Sequence, residues 1–128
     1  SDNDVENLTL TGSSNINGSG NDSDNTITGN NGQNILSGGN GDDILIGGIG
    51  VDTLYGGNGE DIFQLTEGNG YDTISDFKTG EDKINIQGFD DIGIVKNGNH
   101  SNIYDGDDLL AIVFNETDIS TSGNGFLI

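Results

Sequence analysis

The 128-residue sequence has no proline, cysteine, methionine or tryptophan, and it sets only three basic residues against 22 acidic ones. Each scarcity removes a class of explanation. Without cysteine there is no disulfide framework, and thiolate metal sites and catalytic thiols are excluded. A formal charge of -19 leaves too few Lys and Arg to replace the counterions of a nucleic acid, and an anionic membrane surface would repel the chain. No apolar run approaches the roughly 18 residues of a spanning helix, and no signal-peptide pattern opens the sequence. Hydrophobic residues make up 30% of the chain, which with this charge ordinarily reads as disorder. The alternative is a fold completed by cations from solution. The positions of the acids decide between the two.

Glycine is abundant, with 23 residues, and it recurs at a fixed period. Aligned on glycine, the chain reads GNDSDNTIT (20–28), GNNGQNILS (29–37), GGNGDDILI (38–46), GGIGVDTLY (47–55) and GGNGEDIFQ (56–64). After an insertion, Leu65-Thr66, a further copy reads EGNGYDTIS (67–75). Position six holds Asn25, Asn34, Asp43, Asp52, Asp61 and Asp72. Position eight holds Ile27, Leu36, Leu45, Leu54, Phe63 and Ile74. Low-complexity sequence would not keep a hydrophobe in register with an acid or amide two residues earlier. The acids are placed, and an internal period of this kind signals a repeat architecture.

The copies resemble the RTX (repeats-in-toxin) family, whose nonapeptide is GGxGxDxUx with U a large apolar residue. The clean match covers 38–64, and degenerate copies extend it to 20–75. The resemblance implies an all-β fold: a right-handed parallel β-roll, or β-solenoid, of calcium-binding repeats with a C-terminal β cap. The residues support that reading independently. Glycine at positions one, two and four permits positive φ and a sharp turn. Positions seven to nine then form a short strand, with eight pointing inward and seven and nine outward. The outward set is mostly Thr, Ser and Gln, with Ile35, Ile44, Ile46, Tyr55 and Ile62 as exceptions. Two turns and two strands make one coil, so Asp43 is expected between Asn25 and Asp61, and Asp52 between Asn34 and Asp72.

Carboxylates stacked about 4.8 Å apart repel unless a cation lies between them. The ligands on offer are all oxygen, and the single histidine, His100, gives no support to zinc. A hard cation taking six or more oxygens from a flexible cage is calcium, whereas magnesium keeps its waters. The RTX coordination pattern implies a first site from Gly39, Gly41 and Asp43 with Gly56, Asn58 and Asp61. A second takes Gly48, Gly50 and Asp52, completed by Asp72. A third takes Gly47, Ile49 and Asp52 with Asn30, Gly32 and Asn34. A fourth takes Gly38, Asn40 and Asp43 with Asn21, Ser23 and Asn25. A fifth takes Gly57, Gly59 and Asp61, closed by Asp82. Glycine and isoleucine enter these sets through backbone carbonyls, and the neutral Asn25 and Asn34 hold calcium less strongly than aspartate. Several ions, about three to six, are expected, and without them the repeat is expected to be unfolded.

Residues 1–19, with Val5, Leu8, Leu10 and Ile16, read as an irregular N-terminal coil. Asp2-x-Asp4-x-Glu6 lacks the glycine and distal glutamate of an EF-hand loop and reads as a solvated acidic tail. Residues 76–128 read as a capping β region. The stretch DTISDFKTGEDKINI (72–86) resembles the segment that closes RTX rolls, which implies that Asp72, Asp76 and Asp82 finish the last sites, with structural capping as the plainer reading of Asp76. Phe77, Ile84 and Ile86 would then cover the open end. Asn-Gly and Asp-Gly turns within 94–114 predict antiparallel hairpins. The final NGFLI resembles an uncleaved type I secretion signal and reads equally as a last strand.

The function expected is that of a calcium-binding module of a secreted, extracellular or cell-surface protein, monomeric, folding on calcium outside the cell. Calcium ions and the type I secretion machinery are the partners that the resemblance implies. An enzyme is not expected: no HExxH and no nucleophile-base spacing stands out, His100 falls at a hairpin turn, and the repeat accounts for the best-placed acids. The alternative is an adhesive or surface-layer segment binding carbohydrate or neighbouring chains through Ile44, Ile46, Tyr55 and Ile62.

Overall fold

The computed structural model describes residues 6–68 and 70–128. Asp2, Asp4 and Val5, part of the acidic-tail reading, lie outside the described residues. Within them the chain is all-β. The strands are β1 (Asn7–Thr9), β2 (Gly18–Ser19), β3 (Thr26–Thr28), β4 (Ile35–Asn40), β5 (Ile44–Ile46), β6 (Thr53–Asn58) and β7 (Ile62–Gln64). They are followed by β8 (Asp72–Ile74), β9 (Lys83–Asn85), β10 (Ile92–Asn97), β11 (His100–Asp105), β12 (Asp108–Val113) and β13 (Phe126–Leu127).

Odd and even strands of the repeat fall into two facing sheets, as a coil with two strands demands. One sheet runs β1-β3-β5-β7-β9-β13 and the other β10-β11-β12-β8-β6-β4-β2. Within the roll the pairing is parallel. Ile27 lies beside Leu45 and Leu45 beside Phe63 on one sheet, and Leu36 lies beside Leu54 on the other. The insertion shifts this period without breaking it: Thr53 pairs with Thr73 rather than residue 71, and Ile62 pairs with Lys83 rather than residue 80.

Position eight builds the core. Ile27, Leu36, Leu45, Leu54, Phe63 and Ile74 are all fully buried, and Ile84 continues the column one level further. Of the outward apolar residues, Ile35 and Tyr55 are exposed, while Ile44, Ile46 and Ile62 are half-buried. Strands β4 and β6 are longer than three residues because they run on through the Gly-Gly-Asn of the next copy. There Gly39 pairs with Gly57 and Asn40 with Asn58. Outside this edge a side-chain ladder rises from Asp22 to Asn40 to Asn58: Asn40 donates to Asp22 (2.8 Å) and Asn58 donates to Asn40 (2.9 Å).

Parallel pairing reaches beyond residues 20–75 at both ends. At the N-terminal side β1 pairs with β3 and β2 with β4, so residues 7–19 form a coil of the roll instead of an irregular lead-in. The physical reason is that Leu8 lies beside Ile27 and extends the apolar column. Gly18 fills the place below Leu36, where a Cβ would sit 2.9 Å from Leu8 Cδ2. At the other end β9 adds a parallel strand to one sheet and β12 adds one to the other.

The C-terminal region then changes direction. Strands β10, β11 and β12 form antiparallel hairpins turned at Gly98 and Gly106, both at positive φ. Strand β13 lies antiparallel on β9. Ile103, Leu110, Ala111, Val113, Ile119 and Leu127 are buried over the end of the column, and Phe77 packs on Phe63 with ring centroids 6.3 Å apart. Ile86 is half-buried against the same cluster. His100 opens β11, where its ring stacks on Phe114 at 4.5 Å and its Nδ1 accepts a hydrogen bond from the Asn115 amide (2.9 Å). Deleting residues 87–128 would strip β12 from β8 and β13 from β9, leaving two bare sheet edges and an open apolar end. Calcium-induced β signal in circular dichroism is expected to be lost, or its calcium midpoint raised at least tenfold. An unchanged midpoint would remove the capping role.

Candidate metal centres

Stacking at the repeat period brings the position-six residues into two columns. In one, the Asn25 amide donates to Asp43 Oδ1 (2.7 Å), the Asp43 amide to Asp61 Oδ1 (2.9 Å) and the Asp61 amide to Asp82 Oδ1 (3.0 Å). In the other, the Asn34 amide donates to Asp52 Oδ1 (2.8 Å), and the Asp52 amide bonds Asp72 in the same way. Each aspartate therefore ties its level to the preceding one through a single oxygen.

The second oxygen is the anomaly. Oδ2 of Asp43, Asp52 and Asp61 is buried with no hydrogen-bond partner, and all three residues are 0% exposed. An unpaired buried carboxylate oxygen is among the costliest arrangements a protein can hold. Burial is the largest cause pushing the acids of Asp43, Asp52 and Asp82 above their usual range. Asp61 is raised from 3.8 to about 6 by burial, with the charges of Asp82, Asp43 and Asp76 adding to it. Asp72 is raised to about 8 by burial and by the facing Asp52.

These oxygens face the glycines of position one. A Cβ on Gly38 would fall on Asp43 Oδ2 and on the carbonyl of Gly56, the next level up. On Gly47 it would stand 2.7 Å from Asp72 Oδ1 and 2.8 Å from Asp52 Oδ2. Position one thus has a different requirement from the one expected. Positions two and four of the complete copies do take positive φ, as at Gly39 (114°) and Gly41 (101°), but position one does not. Its glycine is needed because the cradle leaves no room for a side chain.

The predicted ligands fall on these turns. Gly39, Gly41 and Asp43 lie beside Gly56, Asn58 and Asp61, and Gly48, Gly50 and Asp52 lie beside the turn leading to Asp72. Gly57, Gly59 and Asp61 share one turn, and Asp61 adjoins Asp82 through its amide. Gly47, Ile49 and Asp52 stand over Asn30, Gly32 and Asn34, and Gly38, Asn40 and Asp43 stand over Asn21, Ser23 and Asn25. Among the described residues no three acids or histidines converge on one point. A site here has at most two carboxylates and must draw its other ligands from carbonyls, a donor set that suits a hard oxygen-seeking cation.

Asp76 accepts from the Gly56 and Gly57 amides (2.8 and 2.9 Å), fastening the last complete turn through hydrogen bonds, in keeping with a capping part. Two features were not anticipated. Lys78 Nζ donates to the Gly57 carbonyl (3.0 Å), bringing a positive charge to that same turn. The side-chain oxygens of Asn21, Asn25, Asn30 and Asn34 each accept a hydrogen bond, unlike Oδ2 of Asp43, Asp52 and Asp61 above them. The pairing of Asn at positions two and six in both early copies, Asn21 with Asn25 and Asn30 with Asn34, was the available signal.

Residues 19–54 and 37–74 match the family model of the RTX calcium-binding nonapeptide repeat, described as four copies. No curated protein matches the chain.

Two predictions follow from the cradle. Folded-state values of Asp61 and Asp72 above the ordinary 3.8 mean that the metal-free fold binds protons more readily than the unfolded chain. Their contribution to stability is then complete below about pH 4 and lost as pH rises through about 6 to 8. In chelator, β signal and urea midpoint should therefore fall between pH 4 and pH 8. With calcium the trend should reverse, because protons compete with the ion for carboxylate. A metal-free midpoint that rises over this range would contradict the reading. Separately, Gly38→Ala should cost about 1–3 kcal/mol by forcing atoms into the cradle. Gly93→Ala, where a Cβ meets nothing within 4 Å, should stay within about 0.5 kcal/mol. Equal denaturation midpoints for the two variants would refute the crowding at position one.

Proposed function

We propose that calcium neutralises the aspartate columns of this chain, whose residues 19–74 match the RTX calcium-binding nonapeptide repeat, and drives it to fold outside the cell. The observation that carries this is the buried, unpartnered Oδ2 of Asp43, Asp52 and Asp61. A divalent cation beside each would replace repulsion between stacked acids with attraction and supply the partner these oxygens lack.

In this reading Asp43 and Asp61, with the carbonyls of Gly39, Gly41, Gly56 and Asn58, hold one ion. Asp52 and Asp72, with the carbonyls of Gly48 and Gly50, hold another. Asp61 and Asp82, with the carbonyl of Gly59, hold a third, the Gly57 carbonyl being taken by Lys78. Calcium accepts such irregular cages of oxygen, while magnesium demands a tighter octahedron.

The family is one of calcium-binding structural repeats, and its members typically leave the cell by type I secretion, which supports a secreted location and a role in the export and folding of a parent protein. A chain with 22 acids stays unfolded where calcium is scarce and becomes ordered where it is plentiful. Among the described residues no helix is long and apolar enough to cross a membrane.

Calcium titration followed by circular dichroism tests the proposal. The chelated protein at neutral pH should show coil, millimolar calcium should restore β signal, and magnesium at the same concentration should not. Asp43→Ala should weaken calcium binding at least tenfold. Asp24→Ala, at an exposed acid whose Oδ1 accepts the Asp42 amide, should shift it less than threefold. Full β structure in chelator would sink the folding claim, and equal effects of the two substitutions would sink the ligand assignment.

A further inference from the structure

The two N-terminal turns differ from the others in both chemistry and backbone. In the aspartate turns one side-chain oxygen accepts an amide from the level before and the other has no partner. In the asparagine turns the side-chain oxygen accepts an amide of its own turn: Asn25 Oδ1 takes the Asn21 amide (2.9 Å) and Asn34 Oδ1 takes the Asn30 amide (2.8 Å). The side-chain nitrogen then points back toward the preceding coil. Asn34 Nδ2 donates to the Ile16 carbonyl (2.7 Å) and to Asn30 Oδ1 (2.9 Å). Asn30 Nδ2 donates to the carbonyls of Thr11 (3.1 Å) and Ser14 (2.9 Å), and Asn25 Nδ2 to that of Glu6 (3.5 Å). The amide groups thus stand among carbonyls that a cation would otherwise collect, with N–H donors in place of positive charge.

The backbone follows suit. Asn21 Oδ1 accepts the Ser23 amide and Asn30 Oδ1 the Gly32 amide, each at 2.9 Å, the local closure that asparagine makes in turns. None of Asn21, Ser23, Asn30 or Gly32 takes the positive φ seen at Gly39, Gly41, Gly57 and Gly59. Gly32 is decisive, since as a glycine it could take that conformation and does not. The side-chain network, not the residue type at position four, sets the turn.

We propose that side-chain amides take the place of calcium in the first two turns, so that residues 6–34 form a metal-free end of the roll and calcium is confined to the levels from Asp43 upward. The inference rests on the calcium reading above. The side-chain oxygens that the two lower turns would offer an ion, Asn25 Oδ1 and Asn34 Oδ1, are engaged by amides of their own turns. An end of this kind caps the solenoid with satisfied neutral groups, as a terminal repeat must.

The test counts calcium ions on the full chain by native mass spectrometry and titration calorimetry, for the natural protein and for Asn34→Asp and Asn25→Asp. The proposal expects one ion for each of the three unpartnered oxygens and one more in each variant, since aspartate would present a new free oxygen. Each variant should also need at least threefold more calcium to fold, because a turn closed by amides now depends on metal. About five ions on the natural chain, with no gain in the variants and tighter binding, would mean that the asparagine turns bind calcium as they stand. That result overturns the inference while leaving the proposed function intact. If either variant fails to fold even in calcium, the other gives the count. No ion on the natural chain at millimolar calcium would instead defeat the calcium reading itself.

Discussion

A carboxylate oxygen buried without a donor is the constraint around which this molecule is organised. The repeat delivers one inward hydrophobe per nonapeptide, which yields a core of two facing rows, one side chain deep on each sheet. So slender a core cannot by itself offset the ordering of a glycine-rich chain. The same geometry that stacks Leu45 on Phe63 also stacks Asp43 on Asp61. Apolar attraction and carboxylate repulsion therefore arrive together, and a positive charge at the second oxygen would relieve the repulsion. A proton at low pH or a divalent cation at neutral pH would meet that need. The glycine at position one keeps that space open.

Much of the architecture was legible because its two determinants are periodic. Position eight never deviates from apolar, so the column from Ile27 to Ile74 and the two-sheet coil follow directly from the alternation of strand faces. Position six marks the column of acids for the same reason. What escaped notice lacks a period. Residues 7–19 carry no nonapeptide, yet Leu8 and Gly18 place them in register by shape alone. The reason for glycine at position one lies across the stack, in the carbonyl and carboxylate of neighbouring levels, and no local pattern states it. Asp76 was named with the closing segment, but its partners Gly56 and Gly57, and the bond from Lys78 to Gly57, come from tertiary contact after the repeat has ended. The asparagines were read only as weaker ligands, because the inventory of a side chain's donors is invisible until its neighbours are known.

The two ends of the roll solve the problem of exposed edges differently. At the N-terminal side a coil bonded through amides lies under β3 and β4. At the C-terminal side the pairing direction reverses, with β12 entering parallel to β8 and the hairpins turning antiparallel beyond it. Reversal ends the repeat geometry, so another coil has no matching level on which to continue. His100 and Phe114 belong to this closure: their stacking, and the bond from Asn115 to the ring, hold the base of the hairpin.

The unshifted register between these ends makes the middle of the roll interchangeable. Thr26, Ile44 and Ile62 face one another in succession on one sheet, as do Ile35 and Thr53 on the other, and the insertions fall only after Gln64. Duplication of the stretch from Gly38 to Tyr55 would slide one coil into the stack, about 4.8 Å taller, with both closures meeting the partners they meet now. Length in such a molecule is a variable independent of fold. A lineage could lengthen or shorten it by in-frame copying or loss of DNA, and each step would add or remove ion-binding capacity without the redesign that an insertion into a globular core requires.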